Sequence, residues 1–307
     1  MLSNNIHTRN KKTRIGFIIN PISGNSNKYN YEDKIASFFA NTNIEPIIEF
    51  TKKAGDAISF AEKSVESKLD AIVVAGGDGT VNEVVNGIGL SKIPMGIIPS
   101  GSGNGLARHL GISMNFRKSL EVIKEGFYQG ADLIKINDKY SINVSGVGFD
   151  ALVSHKFQNL DRRGLVSYVK IIAAEFASYK AKHYKLIIDG REYERDAFLI
   201  SIANSSQFGN NAFISPKASV SDGFIDVCVV KPFPKIISPI LIEQLMIGRL
   251  DKGKYLEVIK AKSIMIKQDS SIYHIDGDAF EGGNIVNASI ISNAIKLIIP
   301  KNKLNNI

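Results

Sequence analysis

The chain has 307 residues, a length that favours two domains rather than one. Its single cysteine, Cys228, excludes an internal disulfide and a cysteine-based metal cluster. The net charge of +8 favours an anionic partner such as a phosphate, a nucleic acid or an anionic membrane surface. A basic surface that serves only solubility explains this charge equally well.

The start of the chain, MLSNNIHTRNKKTR, lacks the apolar stretch of a signal peptide, and no apolar run in the sequence is long enough to cross a bilayer. We therefore expect a cytoplasmic protein. The sequence also contains no basic arm with interleaved aromatic residues, so nucleic acid is excluded from the expected partners.

Predicted strands and helices alternate in the first part of the chain. Strands are predicted at RIGFIIN, IEPIIEF, AIVVA and MGIIP, with helices between them and two further helices at NGLARHL and FRKSLEVIKEGF. Such alternation predicts an α/β fold with a doubly wound parallel sheet, covered by helices on both faces, over residues 1–130.

From about Ala131 strands dominate the pattern. Asp189-Gly190 between two strand-like runs predicts a hairpin turn. Helices are predicted at GLVSYVKIIAAEFASY and over roughly residues 235–250, and Cys228 in the apolar FIDVCVV is expected to be buried. Residues 131–290 are thus predicted to form a mostly antiparallel β-sandwich domain, and the last strand, about 291–307, is a candidate to return to the first domain.

The stretch GGDGT (residues 76–80) follows the predicted strand AIVVA, at the edge where open parallel sheets bind ligands. Glycines let the backbone approach a ligand, and the start of a helix suits a phosphate. The residues Thr80–Glu83 fit a capping box, which predicts a helix that begins at Thr80. Asp78 would repel a bare phosphate, so it indicates a bridging Mg²⁺ or proton transfer; the alternative is a tight turn capped by Asp78.

Two more loops have the same character. NPISGNSN follows the first strand, and PSGSGNGLARHL follows the fourth. Polar, glycine-rich loops at equivalent ends of three strands predict a single nucleotide site. No G-x-x-x-x-G-K-[ST] is present, and Leu106 occupies the third glycine position of G-x-G-x-x-G, so a P-loop NTPase is excluded and a dehydrogenase is disfavoured.

Four motifs in this order, NPISG, Thr51 with Gly55-Asp56-Ala57, GGDGTVNEVVNGI and P-x-GSGNGLAR, resemble the catalytic domain of the diacylglycerol kinase, sphingosine kinase and ceramide kinase superfamily. The resemblance covers nearly the whole chain, although GGDGT alone is shared with NAD kinases. It implies an NAD kinase/diacylglycerol kinase-like fold and an enzyme that uses ATP and Mg²⁺ to phosphorylate a lipid alcohol: diacylglycerol, or a sphingoid- or ceramide-like lipid. A lipid substrate further implies contact with an anionic membrane surface, and a homodimer is a candidate assembly.

The resemblance also implies the site residues. Asp78 would act through Mg²⁺, and Asp278, in Asp276-Gly277-Asp278, would be the general base. The implied nucleotide-binding residues are Asn20, Ser23, Gly24, Thr51, Gly76, Gly77, Asp78, Gly79, Thr80, Val81, Asn82, Ser102, Gly103 and Asn104. A structural Mg²⁺ is implied in SVSDGFIDV, held by a side-chain oxygen of Asp222 and backbone oxygens of Ser219 and Phe224.

Two departures from the family pattern affect the chemistry. Asp278 replaces a glutamate, so its reach is one methylene shorter, and Glu281 is a nearby substitute. Gly105 stands where bacterial diacylglycerol kinases have an aspartate, which leaves the identity of the lipid open. Asp150, in Gly-Val-Gly-Phe-Asp, is a candidate near the cleft between the domains.

Two other functions are compatible with the sequence: phosphorylation of a soluble nucleotide, as in NAD kinases, and a non-catalytic nucleotide or lipid sensor. The histidines are too scattered for a zinc site. Asp56 is predicted to be a helix N-cap, and Arg108 to contact the surface or the other domain rather than a phosphate. For residues 235–250 a core helix is favoured over docking to a membrane surface.

Overall fold

The computed structural model describes residues 4–7, 11–24, 30–159 and 165–307. The chain divides into two compact units. Unit 1 consists of the residues up to Asp132 together with Asn293–Ile307, and unit 2 is Leu133–Ser292. Each unit contains an apolar core of buried side chains.

In unit 1, strands alternate with helices along the chain. Two further strands lie partly in unit 1 and partly in unit 2. Its elements are β1 (Thr13–Ile19), α1 (Tyr31–Phe39), β2 (Ile44–Phe50), α2 (Asp56–Glu66), β3 (Ala71–Gly76), α3 (Asp78–Ile88), β4 (Pro94–Pro99), α4 (Gly105–His109), α5 (Phe116–Glu125), the start of β5 (Tyr128–Ile136) and the end of β16 (Ile285–Ile298).

The sheet of unit 1 has the strand order β2-β1-β3-β4, with parallel pairing throughout, and the end of β16 pairs in parallel with β4. Phe17 of β1 packs with Phe39 of α1 and Ile123 of α5 on one face. The neighbouring Gly16 points the opposite way and faces Ser64 of α2. Helices therefore cover both faces, and the predicted doubly wound parallel sheet is confirmed.

Unit 2 is rich in strands, with helices between some of them. Its elements are the rest of β5 and of β16, β6 (Lys139–Ser141), β7 (Val144–Gly148), α6 (Phe149–Gln158), α7 (Leu165–Ser178), β8 (Lys182–Ile188), β9 (Arg191–Ala197), β10 (Leu199–Ala203), β11 (Ile225–Val230), α8 (Ser238–Met246), β12 (Leu256–Ala261), β13 (Ser263–Lys267), β14 (Ile272–Ile275) and β15 (Asp278–Glu281).

Two antiparallel sheets form the sandwich of unit 2. One has the order β12-β11-β10-β7-β14-β15, and the other contains β5, β6, β8, β9, β13 and the first part of β16. Ile266 and Val286 of the second sheet share a core with Ile200 and Val227 of the first. The predicted antiparallel β-sandwich is confirmed. So is the hairpin between β8 and β9, where Asp189-Gly190 adopts the left-handed conformation expected of such a pair.

Helices cover the outer face of the sheet that contains β11. Phe149 of α6, Phe176 of α7 and Cys228 of β11 belong to one apolar cluster, and burial raises the pKa of the Cys228 thiol. Leu241 and Leu245 of α8 pack against the same cluster, yet no residue of α8 is fully buried. A core helix was the favoured prediction for residues 235–250. In the structure only the side of α8 that contains Leu241 and Leu245 packs against the core.

Candidate active site

The strand order of unit 1 reverses direction between β1 and β3, and a sheet of this kind binds ligands beyond the carboxyl ends of its strands at that point. The loops after β1 and β3 meet there. Nδ2 of Asn20 donates a hydrogen bond to Oγ1 of Thr80 (3.0 Å), and the backbone N–H of Asn20 donates to the carbonyl of Ala75 (2.9 Å). The structure thus brings two of the predicted nucleotide-binding residues into direct contact.

The loop after β4 joins the other two. The hydroxyl oxygens of Ser23 and Ser100 lie 2.6 Å apart, and the N–H of Ser100 donates to the carbonyl of Gly76 (3.0 Å). A side chain on Gly24, whose φ is +57°, would collide with the carbonyl of Ser100. Ser100 was not among the residues predicted for the site. Its position directly after β4, in the polar loop PSGSGN, could have identified it as a site residue.

Glycines permit the closest approach between these loops. A Cβ atom on Gly101 would lie 2.5 Å from the Cα atom of Gly77, and one on Gly77 would lie 3.2 Å from the Cα atom of Gly101. The first distance is shorter than any real contact between a Cβ atom and another carbon. The backbones therefore pack at a separation that a larger residue at position 101 would prevent.

Asn104 shapes the loop in which it lies. It adopts a left-handed conformation (φ 49°), its Oδ1 accepts from the N–H of Gly101 (2.9 Å), and its Nδ2 donates to the carbonyl of Gly101 (2.7 Å). Nε of Arg108 donates to the carbonyl of Gly103 (3.1 Å). Arg108 therefore contacts its own loop, a contact within unit 1 that differs from the predicted surface or interdomain one, and Ser102 remains exposed at the tip of the loop.

Helix α3 begins at Asp78, two residues before the start that the capping box predicts. Gly77 precedes it, and Thr80 and Glu83 make other contacts: Thr80 accepts from Asn20, and Oε2 of Glu83 accepts from the N–H of Ala57 (3.3 Å). Both side chains are engaged by neighbouring segments, so the capping-box prediction is wrong. The backbone N–H groups of the first turn of α3 belong to Asp78, Gly79 and Thr80, next to the glycine-rich loops.

Asp78 is half-buried in the first turn of α3. The start of a helix favours negative charge, so the same location stabilises this carboxylate and the phosphates of a ligand. A carboxylate oxygen is a ligand type that Mg²⁺ prefers, and Mg²⁺ commonly binds through one or two carboxylates and substrate phosphates. Asp78 therefore fits a metal that bridges phosphates at this edge.

The other predicted nucleotide-binding residues surround these loops. Thr51 follows β2, is buried, and donates its N–H to the carbonyl of Ile19 (2.9 Å). Val81 and Asn82 are buried within α3, so they reach a ligand less readily than Gly79 at the half-exposed first turn. A correction concerns Asp56, which is the first residue of α2 rather than its N-cap. Its carboxylate accepts from the N–H groups of Lys52 and Lys53 and so orders the preceding loop.

In unit 2, the predicted base lies in a turn whose two aspartates differ sharply. Asp276 and Gly277 both have positive φ and connect β14 to β15. The carboxylate of Asp276 is buried and accepts from Oγ of Ser141 (2.6 Å) and from the N–H groups of Ile142 and Asn143 (3.0 Å each). Asp276 therefore holds the turn in place, a role that the sequence analysis did not assign.

Asp278 is exposed at the start of β15. Glu281, the substitute considered for it, lies three residues further on, and its Oε1 is 2.9 Å from Nε2 of His155. The structure thus presents Asp278 at the surface of unit 2, while Glu281 takes part in an ion pair whenever His155 is protonated.

A buried pair links Asp150 to the same turn. His274 is 2% exposed, and its Nδ1 accepts from the N–H of Gly277 (3.3 Å). This contact places the ring proton on Nε2, which lies 3.1 Å from Oδ2 of Asp150. Oγ of Ser201 also donates to Oδ2 (3.3 Å). His274 was not predicted as a site residue, since 124 residues separate it from Asp150.

The predicted structural Mg²⁺ site lies on the turn before β11. Oδ1 of Asp222 accepts from the N–H of Phe224 (3.0 Å), and Oδ2 lies 2.7 Å from Nζ of Lys260, which is also 3.1 Å from the buried Asp226. Burial lowers the pKa of Lys260, but Asp222 and Asp226 outweigh this effect and raise it. The Lys260 ammonium occupies one oxygen of the carboxylate that the metal would use, and the Mg²⁺ site of Ser219, Asp222 and Phe224 stays a prediction.

Two family models together match most of the chain. Residues 14–136 match the diacylglycerol kinase catalytic domain, and residues 143–299 match the YegS C-terminal NAD kinase beta sandwich-like domain. Among the described residues, the helices are all too short or too polar to traverse a bilayer.

Named relatives agree with these matches over nearly the full length of both chains. A diacylglycerol kinase of Staphylococcus aureus (strain bovine RF122 / ET3-1) is 28% identical over 316 residues, which cover 92% of this chain and 96% of the relative. A diacylglycerol kinase of Mycobacterium tuberculosis (strain ATCC 25618 / H37Rv) is 24% identical over 278 residues, which cover 88% and 90%.

Solved structures show the same fold. The crystal structure of a diacylglycerol kinase from Bacillus anthracis str. Sterne superposes with a TM-score of 0.70 at 22% identity and covers 94% of this chain and 98% of that one. A second crystal structure from this organism reaches a TM-score of 0.76 at 24% identity, with 96% and 98% covered. The chain belongs to the diacylglycerol kinase family of lipid kinases, with a diacylglycerol kinase catalytic domain followed by a YegS-type C-terminal domain.

Proposed function

We propose that this protein is an ATP- and Mg²⁺-dependent kinase that phosphorylates the hydroxyl group of a lipid alcohol. The observation that carries the proposal is the meeting of the loops after β1, β3 and β4 where the strand order reverses, beside the first turn of α3 and Asp78. This arrangement supplies backbone donors, close approach and a carboxylate at one edge of the sheet, as transfer of a phosphoryl group requires.

The loops of unit 1 would bind and orient ATP. The N–H groups of the first turn of α3 and of the loop after β4 donate to phosphate oxygens, and the contact between Gly77 and Gly101 fixes the spacing between these donors. Asp78 holds Mg²⁺, which when bound neutralises charge on the phosphates. Catalysis comes mainly from positioning and electrostatic stabilisation, because phosphoryl transfer asks little covalent chemistry of the protein.

Asp278 would accept the proton of the acceptor hydroxyl. Three donors already engage the buried carboxylate of Asp276, whereas Asp278 is exposed on the same turn. Glu281 is the weaker candidate because it lies 2.9 Å from His155. The aspartate side chain is one methylene group shorter than that of glutamate. The hydroxyl group of the acceptor must therefore lie closer to the backbone of this turn than it would in a chain with Asp-Gly-Glu.

The acceptor is a diacylglycerol or a sphingoid- or ceramide-like lipid. Incubation of the protein with γ-labelled ATP and a total lipid extract, with Mg²⁺ or with EDTA, tests the proposal, and mass analysis of the labelled product identifies the lipid. We expect a labelled lipid phosphate that forms only with Mg²⁺. Labelled NADP from a parallel reaction with NAD would instead identify a nucleotide kinase, and transfer to neither acceptor in a single turnover would indicate a sensor.

A further inference from the structure

Large apolar side chains are concentrated on the exposed surface of one segment of unit 2. Thirteen large hydrophobic residues are exposed in the described part of the chain, and five of them lie between residues 236 and 247. These five are Ile236, Ile240, Ile242, Met246 and Ile247, with exposed fractions of 87%, 55%, 57%, 43% and 53%. An apolar cluster of this kind on a protein surface commonly marks a site of interaction.

Helix α8 has apolar residues on both its inner and its outer face. Leu241 and Leu245, four residues apart, pack against the apolar cluster of unit 2, so they define the inner face. At 100° per residue, Ile240 and Met246 lie about 120° from the middle of this stripe, one on each side of it, and Ile242 lies about 80° from it. Glu243 lies opposite this stripe, and the apolar side chains on either side of it are exposed, with no covering segment among the described residues.

Contacts at both ends join α8 to the rest of unit 2. Nζ of Lys235 donates to the carbonyl of Ala177 (2.5 Å) just before α8, and the N–H of Phe213 donates to the carbonyl of Leu245 (2.9 Å) near its end. Phe233 packs 5.0 Å from Phe198 and anchors the preceding turn in the apolar cluster. Ile240 and Ile242 therefore lie on a helix that contacts the rest of unit 2 at both of its ends.

The charges around this face indicate what covers it. Arg249, Lys252 and Lys254 are exposed after the helix, and Lys235, whose ammonium donates to Ala177, is exposed before it. Of the acids between residues 235 and 254, Asp251 is largely buried and lies 2.9 Å from Lys217, so Glu243 is the exposed one. Apolar side chains flanked by basic ones complement a bilayer that contains anionic lipids, since the isoleucines enter the interface while the cations meet the headgroups.

We propose that α8 and its flanking residues, Lys235–Lys254, form a surface that docks on anionic lipid bilayers. The choice of a bilayer rests on the proposed function, because a lipid kinase must reach its acceptor in a membrane. The surface contains one unfavourable element, Glu243, which lies among the isoleucines and repels anionic headgroups. Docking is therefore expected to be reversible and sensitive to salt.

Flotation with vesicles tests this surface on the full-length protein. We expect wild type to bind phosphatidylcholine vesicles that contain 30% phosphatidylglycerol (about one anionic lipid in three) and to bind pure phosphatidylcholine weakly. The double variant Ile240→Asp/Ile242→Asp should lose about tenfold or more in vesicle affinity. Glu243→Gln should strengthen binding by about fivefold, an effect opposite in sign that simple damage to the fold does not produce.

The control is Leu90→Asp, which changes an exposed leucine at the end of α3 in unit 1 and should leave vesicle binding unchanged. Equal binding by wild type and the double isoleucine variant, or no binding by wild type, overturns the inference. A wild-type dimer that the isoleucine variant converts to a monomer, with vesicle binding unaffected, overturns it as well and assigns the face to a second copy of the chain.

A kinase assay separates this inference from the proposed function. With the lipid acceptor dispersed in detergent micelles, the double isoleucine variant should match wild type, and with the acceptor in vesicles it should be about tenfold slower. No lipid phosphorylation by wild type in micelles contradicts the proposed function, whereas micelle and vesicle rates that fall together contradict only the docking surface.

Discussion

The edge of unit 1 where the loops after β1, β3 and β4 meet and the turn of unit 2 at residues 276–278 are built in different ways. In unit 1 the loops are joined by hydrogen bonds such as Asn20 to Thr80 and by the contact between glycine backbones at Gly77 and Gly101. In unit 2 a buried carboxylate, with three donors, holds a turn from which a second carboxylate is exposed. Close contact between glycine backbones distinguishes the first region, and a single buried carboxylate distinguishes the second.

This difference predicts how each region responds to mutation. Where the backbone forms the site, the size of a residue matters more than its functional group, with Asp78 as the exception. Where a buried carboxylate holds the turn, neighbouring residues of the same type are expected to have separable effects, because Asp276 accepts from three donors whereas Asp278 is the base that we propose. Variants within each region therefore test whether the two regions differ in this way.

The largest effect is expected at Asp78. Replacement by alanine removes the carboxylate that we assign to Mg²⁺, and kcat/KM for ATP should fall by about 10³-fold or more with little change in the thermal unfolding midpoint. The matched control is Asp33→Ala, which removes an exposed acid from the first turn of α1 and should retain wild-type activity. Near-normal turnover by Asp78→Ala would exclude the assigned role.

The two aspartates of the turn should separate activity from stability. Asp278→Asn should reduce kcat by about 10²- to 10³-fold with little change in unfolding by urea, because the amide has the same size and replaces only the carboxylate that we assign to the acceptor proton. Asp276→Ala should lower the free energy of unfolding by about 3 kcal/mol, since three donors lose their buried partner. Steady-state kinetics and urea titrations measure the two effects.

A companion variant, Glu281→Gln, tests the base assignment. It removes an exposed partner of His155 and is expected to change both quantities little. Loss of activity in Glu281→Gln together with normal activity in Asp278→Asn would move the base to Glu281.

A smaller effect is expected at Gly101. Alanine there would place a Cβ atom 2.5 Å from the Cα atom of Gly77 and force the two loops apart. We expect KM for ATP to rise about tenfold with a smaller change in kcat, measured with saturating acceptor. Gly253→Ala is the control, because its Cβ atom would meet no other atom closer than 3.4 Å. Equal KM values for the two variants would show that the spacing of the loops is unimportant.

Local sequence patterns predicted the features that local physics determines. Glycines and polar residues after β1, β3 and β4 identified the edge of unit 1, and Asp189-Gly190 identified the hairpin from its need for positive φ. The start of α3 was predicted wrongly because the capping box is a local pattern, while Thr80 is used by Asn20, sixty residues earlier. Tertiary contacts overrode the local preference.

Contacts between residues far apart in the chain could not be predicted from the sequence. The pair of His274 and Asp150 joins positions 124 residues apart, and the three donors to Asp276 come from residues 141–143. Periodicity could not show that α8 has a second, uncovered apolar side, because exposure depends on which elements pack around it. Whether Lys260 approaches Asp222 likewise depends on the pairing of β11 with β12.

The path of β16 has a consequence for the order of folding during synthesis. Asn293–Ile307 belongs to unit 1, where Ile295, Leu297 and Ile298 are buried and Leu297 lies opposite Met95 of β4. A ribosome makes the whole of unit 2 before it makes these residues. Until then, β4 lacks β16, which pairs with it in the folded protein. The half of the molecule that is translated first is thus completed last, and a nascent chain that stalls within unit 2 carries an open sheet edge.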